Sequence, residues 1–348
     1  MKYVMLKDVC TIKMGQSPDS DSYNDNGEGV PFFQGNADFG ERYPVTRKWC
    51  STPTKMAVPD DILISVRAPI GAMNYAKEEC CIGRGLAALT PDKTKVSPEF
   101  IFWLLKGKNA ELNSKGTGST FKAIGRKVLE ETKVPDIPLE KQLEYSGTLE
   151  KVYAVIQHRK SELQMLDNLI KARFVEMFAN WKKKYLAEPL GEYLQDITYG
   201  FTNPMPDAEE GPWKITAKDV VNGIVNLDTA RKTSQESYDK LTEKSKPQLG
   251  DVLLTKDGTL GRTAVVEIGG MCVNQSVAVL RINKKILPKY LSILLQMPKY
   301  QRDMIADAGG GTIKHIYITK VVKMPIVVPS IEEQNTFLDF VHQVDKSK

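Results

Sequence analysis

A chain that carries the same segments twice, in the same order and a domain's length apart, can hardly fold into anything but two versions of one domain. Here the copies are offset by about 190 residues. Asp61-Ile62-Leu63-Ile64-Ser65, with a glycine at Gly71, returns as Asp251-Val252-Leu253-Leu254-Thr255, with a glycine at Gly261. Cys81-Ile82 and Ala87-Ala88-Leu89 return as Cys272-Val273 and Ala278-Val279-Leu280. Ser97-Pro98-Glu99-Phe100-Ile101 returns as Leu287-Pro288-Lys289-Tyr290-Leu291, Lys122-Ala123-Ile124 as Lys314-His315-Ile316, and Pro138 through Gln142 as Pro329 through Gln334. Solenoid repeats are far shorter and need at least three units, so this is a tandem domain that presents two related surfaces.

At 348 residues there is room for two full cores and a connector. No apolar run is long enough to span a bilayer and the start Met1-Lys2-Tyr3-Val4 has no secretory pattern, so the cytoplasm is expected. The five cysteines, Cys10, Cys50, Cys80, Cys81 and Cys272, have no framework spacing and read as buried thiols. With only His158, His315 and His342 beside them, no metal site is expected. A net charge of +5 permits a polyanionic partner without requiring one.

The first unit, 1–138, alternates β-rich segments with Pro and Gly, and Ser97 caps a helix through Lys106 whose face is Phe100, Ile101, Leu104 and Leu105. Residues 139–185 differ. Leu149, Val152, Ile156, Leu163, Leu166, Ile170 and Met177 lie three and four apart with no proline, which predicts one long helix. Roughly 40 helical residues span about 60 Å, more than a domain of this size needs internally, so the helix serves spacing or partner contact. Arg159 and Arg173 interrupt the seam, favouring antiparallel pairing over a parallel zipper. The second unit, 186–330, opens with Leu190 through Pro204, an echo of Leu6 through Pro18, and 331–348 begins a second, shorter helix. The fold expected is α+β: two β-rich domains joined and spaced by helices.

Motifs for intrinsic catalysis fail. Gly116 through Lys122 has the wrong spacing for a phosphate-binding loop, and Asn203-Pro204-Met205-Pro206 lacks the adjacent second proline and the aromatic of an adenine-methyltransferase motif. Asp61 at the mouth of a strand reads as a turn cap rather than a nuclease carboxylate. The glycine-rich segments carry more. Gly116-Thr117-Gly118-Ser119-Thr120-Phe121-Lys122 and Gly309-Gly310-Gly311-Thr312-Ile313-Lys314 hold the same place in both copies, and each is a hydroxyl-bearing loop ending in lysine. Such loops approach phosphates through backbone N–H groups and a cation, and recurrence favours that over two solvated turns. Ser119, Thr120, Lys122, Thr312, Lys314 and His315 are therefore candidate nucleic-acid contacts. Arg67 and Lys256 stand just beyond the repeated strand. Arginine there could read guanine in a major groove, or be a surface charge at a strand end. Gln16, Ser17, Thr202 and Asn203 are further candidates, with Tyr23, Phe33, Gln34, Asn36 and Trp213 behind them. These loops differ most between copies, as two readers of different half-sites require.

The order of unit, long helix, unit and helix closely resembles the specificity (S) subunit of type I restriction-modification systems. So do the Leu6-through-Pro18 opening, Gly250-Asp251-Val252-Leu253-Leu254-Thr255-Lys256-Asp257-Gly258, and the paired Pro138–Gln142 and Pro329–Gln334 segments. The resemblance covers essentially the whole chain. It implies a non-catalytic subunit in which each target-recognition domain reads one half of a bipartite, asymmetric site in double-stranded DNA, while the helices set the spacer. It further implies docking of two modification (methyltransferase) subunits that use S-adenosylmethionine, and of restriction (motor-nuclease) subunits that use ATP and magnesium, with no cofactor in this chain. The competing reading is a helical scaffold that binds proteins and reads no DNA. One departure is the short second helix. It suggests a truncation, or self-association through Leu163, Leu166, Ile170, Met177 and Phe178 along the long helix.

Overall fold

Short β-prone runs, most of them near a glycine or proline, make the strands of the first half. Those that frame the site are β1 (Cys10–Met14), β2 (Val30–Phe33), β3 (Ile62–Ser65), β4 (Met73–Tyr75), β5 (Cys80–Ile82) and β6 (Leu86–Pro91). Helix α1 (Pro98–Gly107) follows. The Ser97 hydroxyl caps it by accepting from the Phe100 backbone N–H at 3.4 Å, and Pro98 sits in its first turn. Helix α2 (Leu139–Phe178) runs unbroken for 40 residues. The second half supplies β7 (Leu194–Tyr199), β8 (Ala208–Ile215), β9 (Val252–Thr255), β10 (Thr263–Val265), β11 (Met271–Val273), β12 (Val277–Ile282), α3 (Pro288–Gln296) and α4 (Ile331–Lys346).

The structure, a computed structural model, describes residues 2–118, 122–178, 185–306 and 314–348. Its internal contacts divide the chain into two units, Met1–Arg159 and Lys160–Lys348, with the division inside α2. Each unit has an antiparallel four-stranded sheet, ordered β1-β6-β3-β4 in the first and β7-β12-β9-β10 in the second. The registers match. Ala87 lies opposite Met14 and Ile64, and Ala278 opposite Tyr199 and Leu254. Each unit also has a parallel pair, with Phe33 opposite Ile82 in one and Ile215 opposite Val273 in the other. The sheets bury Ile62, Ile64 and Leu89 with Ile101 and Leu105 in the first unit, and Leu254 and Leu280 with Tyr290 and Leu294 in the second.

Both helices that follow the domains start with the same fastening. The buried Gln142 accepts from the Ser97 N–H at 3.0 Å and donates to the carbonyls of Ile137 and Lys95. The equally buried Gln334 accepts from the Leu287 N–H at 2.8 Å and donates to the carbonyls of Pro329 and Lys285. Two turns farther along α2, Glu150 accepts from Arg42 at 2.7 Å and from the Trp103 indole at 2.8 Å.

At its other end α2 becomes part of the second unit's core. Phe174 and Phe178 meet Tyr290 and Phe337 ring to ring. Helix α4 runs antiparallel along this stretch. Phe337 lies against Phe174 and Phe178, the Arg173 guanidinium over the Phe340 ring, and Lys348 pairs with Asp167 at 2.8 Å. This corrects the expected self-association surface. Ile170 and Phe178 are core residues, Leu166 and Met177 pack against that core, and of the five only Leu163 is exposed. The short α4 suffices to cover them. Other apolar residues of α2 are exposed, among them Leu149, Val152, Val155 and Ile156 in the part that belongs to the first unit. Among the described residues, no helix is long and apolar enough to cross a membrane.

Candidate nucleic-acid interface

At one end of the first unit's sheet, backbone hydrogen bonds gather four distant segments into a rim. Gly15 N–H donates to the Leu86 carbonyl and Gln16 N–H to that of Ile82, which fixes the exit from β1 beside the turn between β5 and β6. No side chain fits at Gly15, where a Cβ would lie 2.2 Å from the Gly83 carbonyl oxygen. Val66 N–H donates to the Gly85 carbonyl at 2.9 Å, tying the end of β3 to the same turn. Ile124 N–H then donates to the Val66 carbonyl and Ala68 N–H to that of Lys122, adding the segment after the glycine loop. Thr117 and Ala123 exchange two bonds of 2.9 Å that close the base of that loop.

The rim therefore brings together Ser17, Gln34, Arg84, Arg67 and Lys122. The Ser17 hydroxyl accepts from the Gln34 amide at 2.9 Å and from the Arg84 N–H at 3.3 Å. Arg67, Arg84 and Lys122 are exposed, and none of the three side chains has a hydrogen bond or ion pair among the described residues. Three exposed cations with a hydroxyl and an amide form a surface suited to phosphates and base edges. Gln16 is exposed beside them, its carbonyl held by the Thr54 hydroxyl at 2.6 Å.

The second unit repeats four bonds of this frame. Gly200 N–H donates to the Val277 carbonyl, Phe201 N–H to that of Val273, Lys256 N–H to that of Ser276 at 2.8 Å, and Ile316 N–H to that of Lys256. These bonds set the correspondence of positions: Lys256 stands where Val66 does, and Asp257 where Arg67 does. The bridges Arg67–Ala123 and Asp257–His315 agree. Lys256, a candidate contact alongside Arg67, therefore sits in a different setting. Lys256 pairs with Asp257 at 2.7 Å, lies 5.4 Å from the Tyr199 ring centre, and its side chain is only 16% exposed. Lys314 is exposed, and the half-buried His315 packs edge-on against Tyr317. Thr202 and Asn203 are exposed beside Phe201. Ser119, Thr120 and Thr312 lie outside the described residues.

Sequence reasoning passed over Arg84 and its counterpart Gln275. The signal was available. Cys81-Ile82 and Cys272-Val273 are matched repeats, and counting onward aligns Gly83-Arg84-Gly85 with Asn274-Gln275-Ser276.

Catalytic chemistry finds little material here. Asp61 accepts from the Val58 N–H at 3.0 Å and the Thr90 hydroxyl at 2.6 Å, a buried turn cap. Asp251 does the same for Gln248 N–H and faces Arg281. Burial pushes the Cys10 and Cys80 thiols up to about 12, so they are protonated and poor nucleophiles at neutral pH. Among the described residues, no three His, Cys, Asp or Glu side chains are grouped to hold a metal.

Comparison with known proteins agrees with this duplicated design. The family described as type I restriction modification DNA specificity domain matches residues 1–166 and 202–348. The MjaX type I restriction enzyme specificity subunit of Methanocaldococcus jannaschii is 44% identical over 156 residues, covering 45% of this chain but only 37% of that protein. The EcoBI type I restriction enzyme specificity subunit of Escherichia coli is 22% identical across 98% of this chain and 78% of its own length. The solved S subunit of a type I restriction-modification system from M. genitalium shares the fold, with a TM-score of 0.54 over 99% of this chain and 89% of that one at 15% identity.

Proposed function

The chain belongs to the type I restriction modification DNA specificity family, and from that premise we propose that it is the sequence-reading subunit of a modification and restriction complex. Each rim reads one half of a bipartite site in double-stranded DNA, and α2 with α4 sets the unread spacer between the halves. The observation that carries this reading is the pair of rims, alike in backbone bonds and unlike in side chains. A fixed frame with variable tips suits recognition of two different base sequences.

Two modification subunits that bind S-adenosylmethionine and methylate adenine dock on the helical region, where Leu149, Val152 and Ile156 are exposed. Motor-nuclease subunits bring ATP and magnesium. Recognition rests with this chain and chemistry with its partners, an arrangement in keeping with buried, protonated thiols and carboxylates engaged in turns. The test is duplex binding by the chain reconstituted with its modification subunits. A preferred pair of half-sites at fixed separation, with affinity falling steeply as salt rises, is the expected result. Equal affinity for every sequence defeats the proposal and returns the protein-scaffold reading.

A further inference from the structure

The turn between β5 and β6 and its counterpart between β11 and β12 are pinned by matching backbone bonds and each present one exposed side chain at the same point. In the first unit Gly83 N–H donates to the Phe33 carbonyl and Leu86 N–H to that of Gly83. In the second, Asn274 N–H donates to the Ile215 carbonyl and Val277 N–H to that of Asn274. Arg84 and Gln275 stand at the same point of this frame, both exposed. Their neighbours are withdrawn in two different ways. A Cβ at Gly83 or Gly85 would come within 2.7 Å and 2.5 Å of Gln34 oxygens, so those positions carry no side chain. In the second unit Asn274 and Ser276 have side chains that bind one another, Ser276 Oγ lying 2.5 Å from Asn274 Oδ1 while also accepting from the Ala217 N–H. Each turn thus offers, on a pinned backbone, one exposed side chain that is unengaged among the described residues.

We propose that this position reads one base in each half-site, Arg84 taking guanine and Gln275 taking adenine. The inference rests on the recognition reading above and assigns it a residue in each half. An arginine fork matches guanine O6 and N7, and a glutamine amide matches adenine N6 and N7. A phosphate contact would keep its cation in both copies, as Lys122 and Lys314 do. This position exchanges a cation for a neutral amide while the two bonds that pin the turn, from Gly83 and Leu86 N–H in one copy and from Asn274 and Val277 N–H in the other, are kept.

The experiment selects preferred duplexes from a randomised library with the complex reconstituted from modification subunits and wild-type, R84Q, Q275R or R84K chain. Wild-type complex should prefer guanine at one position of one half-site and adenine at one position of the other. R84Q should move the first preference towards adenine and Q275R the second towards guanine, each leaving the opposite half-site unchanged. The expected discrimination is about ten- to a hundredfold. R84K, which keeps the charge and loses the fork, should retain most affinity and lose most of the guanine preference. Variants that bind more weakly but keep the wild-type base preferences overturn the inference, as do variants that behave like wild type. A wild-type complex with no preference at all defeats the recognition reading itself.

Discussion

Position 200 tolerates no side chain, because a Cβ there would lie 1.7 Å from the Val273 carbonyl oxygen; the matching Gly15 is nearly as tight. Relieving the clash would mean separating β7's exit from the turn that bears Gln275. Gly200→Ala should therefore destabilise the second unit by about 1–3 kcal/mol or more, read as a lower thermal midpoint. Arg67 offers the opposite case, an exposed side chain with no hydrogen bond or ion pair among the described residues, whose loss should leave stability untouched. If it reads a base, Arg67→Ala relaxes specificity in one half-site by about 1–3 kcal/mol. A uniform loss across sequences would mark it as a phosphate contact. The sequence made Arg67 visible by its place after a repeated strand, yet it mismatched the second copy. Lys256 is one residue nearer the strand than Arg67, and a one-residue slip at a strand end exchanges a free cation for one paired with Asp257. Only hydrogen bonds between remote segments settle that correspondence.

Elements were the most legible scale. The unbroken apolar spacing of α2 and the Ser97 cap of α1 both follow from local chemistry, and both stand. What periodicity could not say was which stretch of α2 its own chain covers. Ile170 and Phe178 carry the same pattern as Val152 and Ile156, and the difference is made by α4 and α3 packing on one end alone. The exposed stretch yields a prediction. Ile156→Asp should leave folding unchanged and weaken assembly with modification subunits, seen as loss of the complex in size-exclusion chromatography. An unaffected complex would place docking elsewhere. The paired glutamines yield another. In Gln334→Leu the Leu287 N–H and the Pro329 and Lys285 carbonyls lose their shared partner in a buried site, at a cost of about 1–3 kcal/mol. Earlier thermal unfolding of the second unit than in wild type checks it, and Gln142→Leu should do the same to the first.

For the whole molecule, duplication means that function should factor into halves. The repeat was plain in the sequence because strands and helix starts are constrained by burial and caps, which keep residue types alike. The rims were legible only in part, since they assemble from segments that the chain separates by tens of residues and their tips differ between copies. Lys122 and Lys314 are the part that recurs, each exposed and each following the glycine loop of its own unit. They belong to separate units and share no partner among the described residues. Lys122→Ala and Lys314→Ala should therefore each weaken duplex binding across all sequences and each lower the slope of log affinity against log salt by about one. In the double variant the two losses should add to within about 0.5 kcal/mol. A coupling well above that, measured in a double-mutant cycle on the reconstituted complex, would mean that the two lysines act on one contact and that the halves do not read independently.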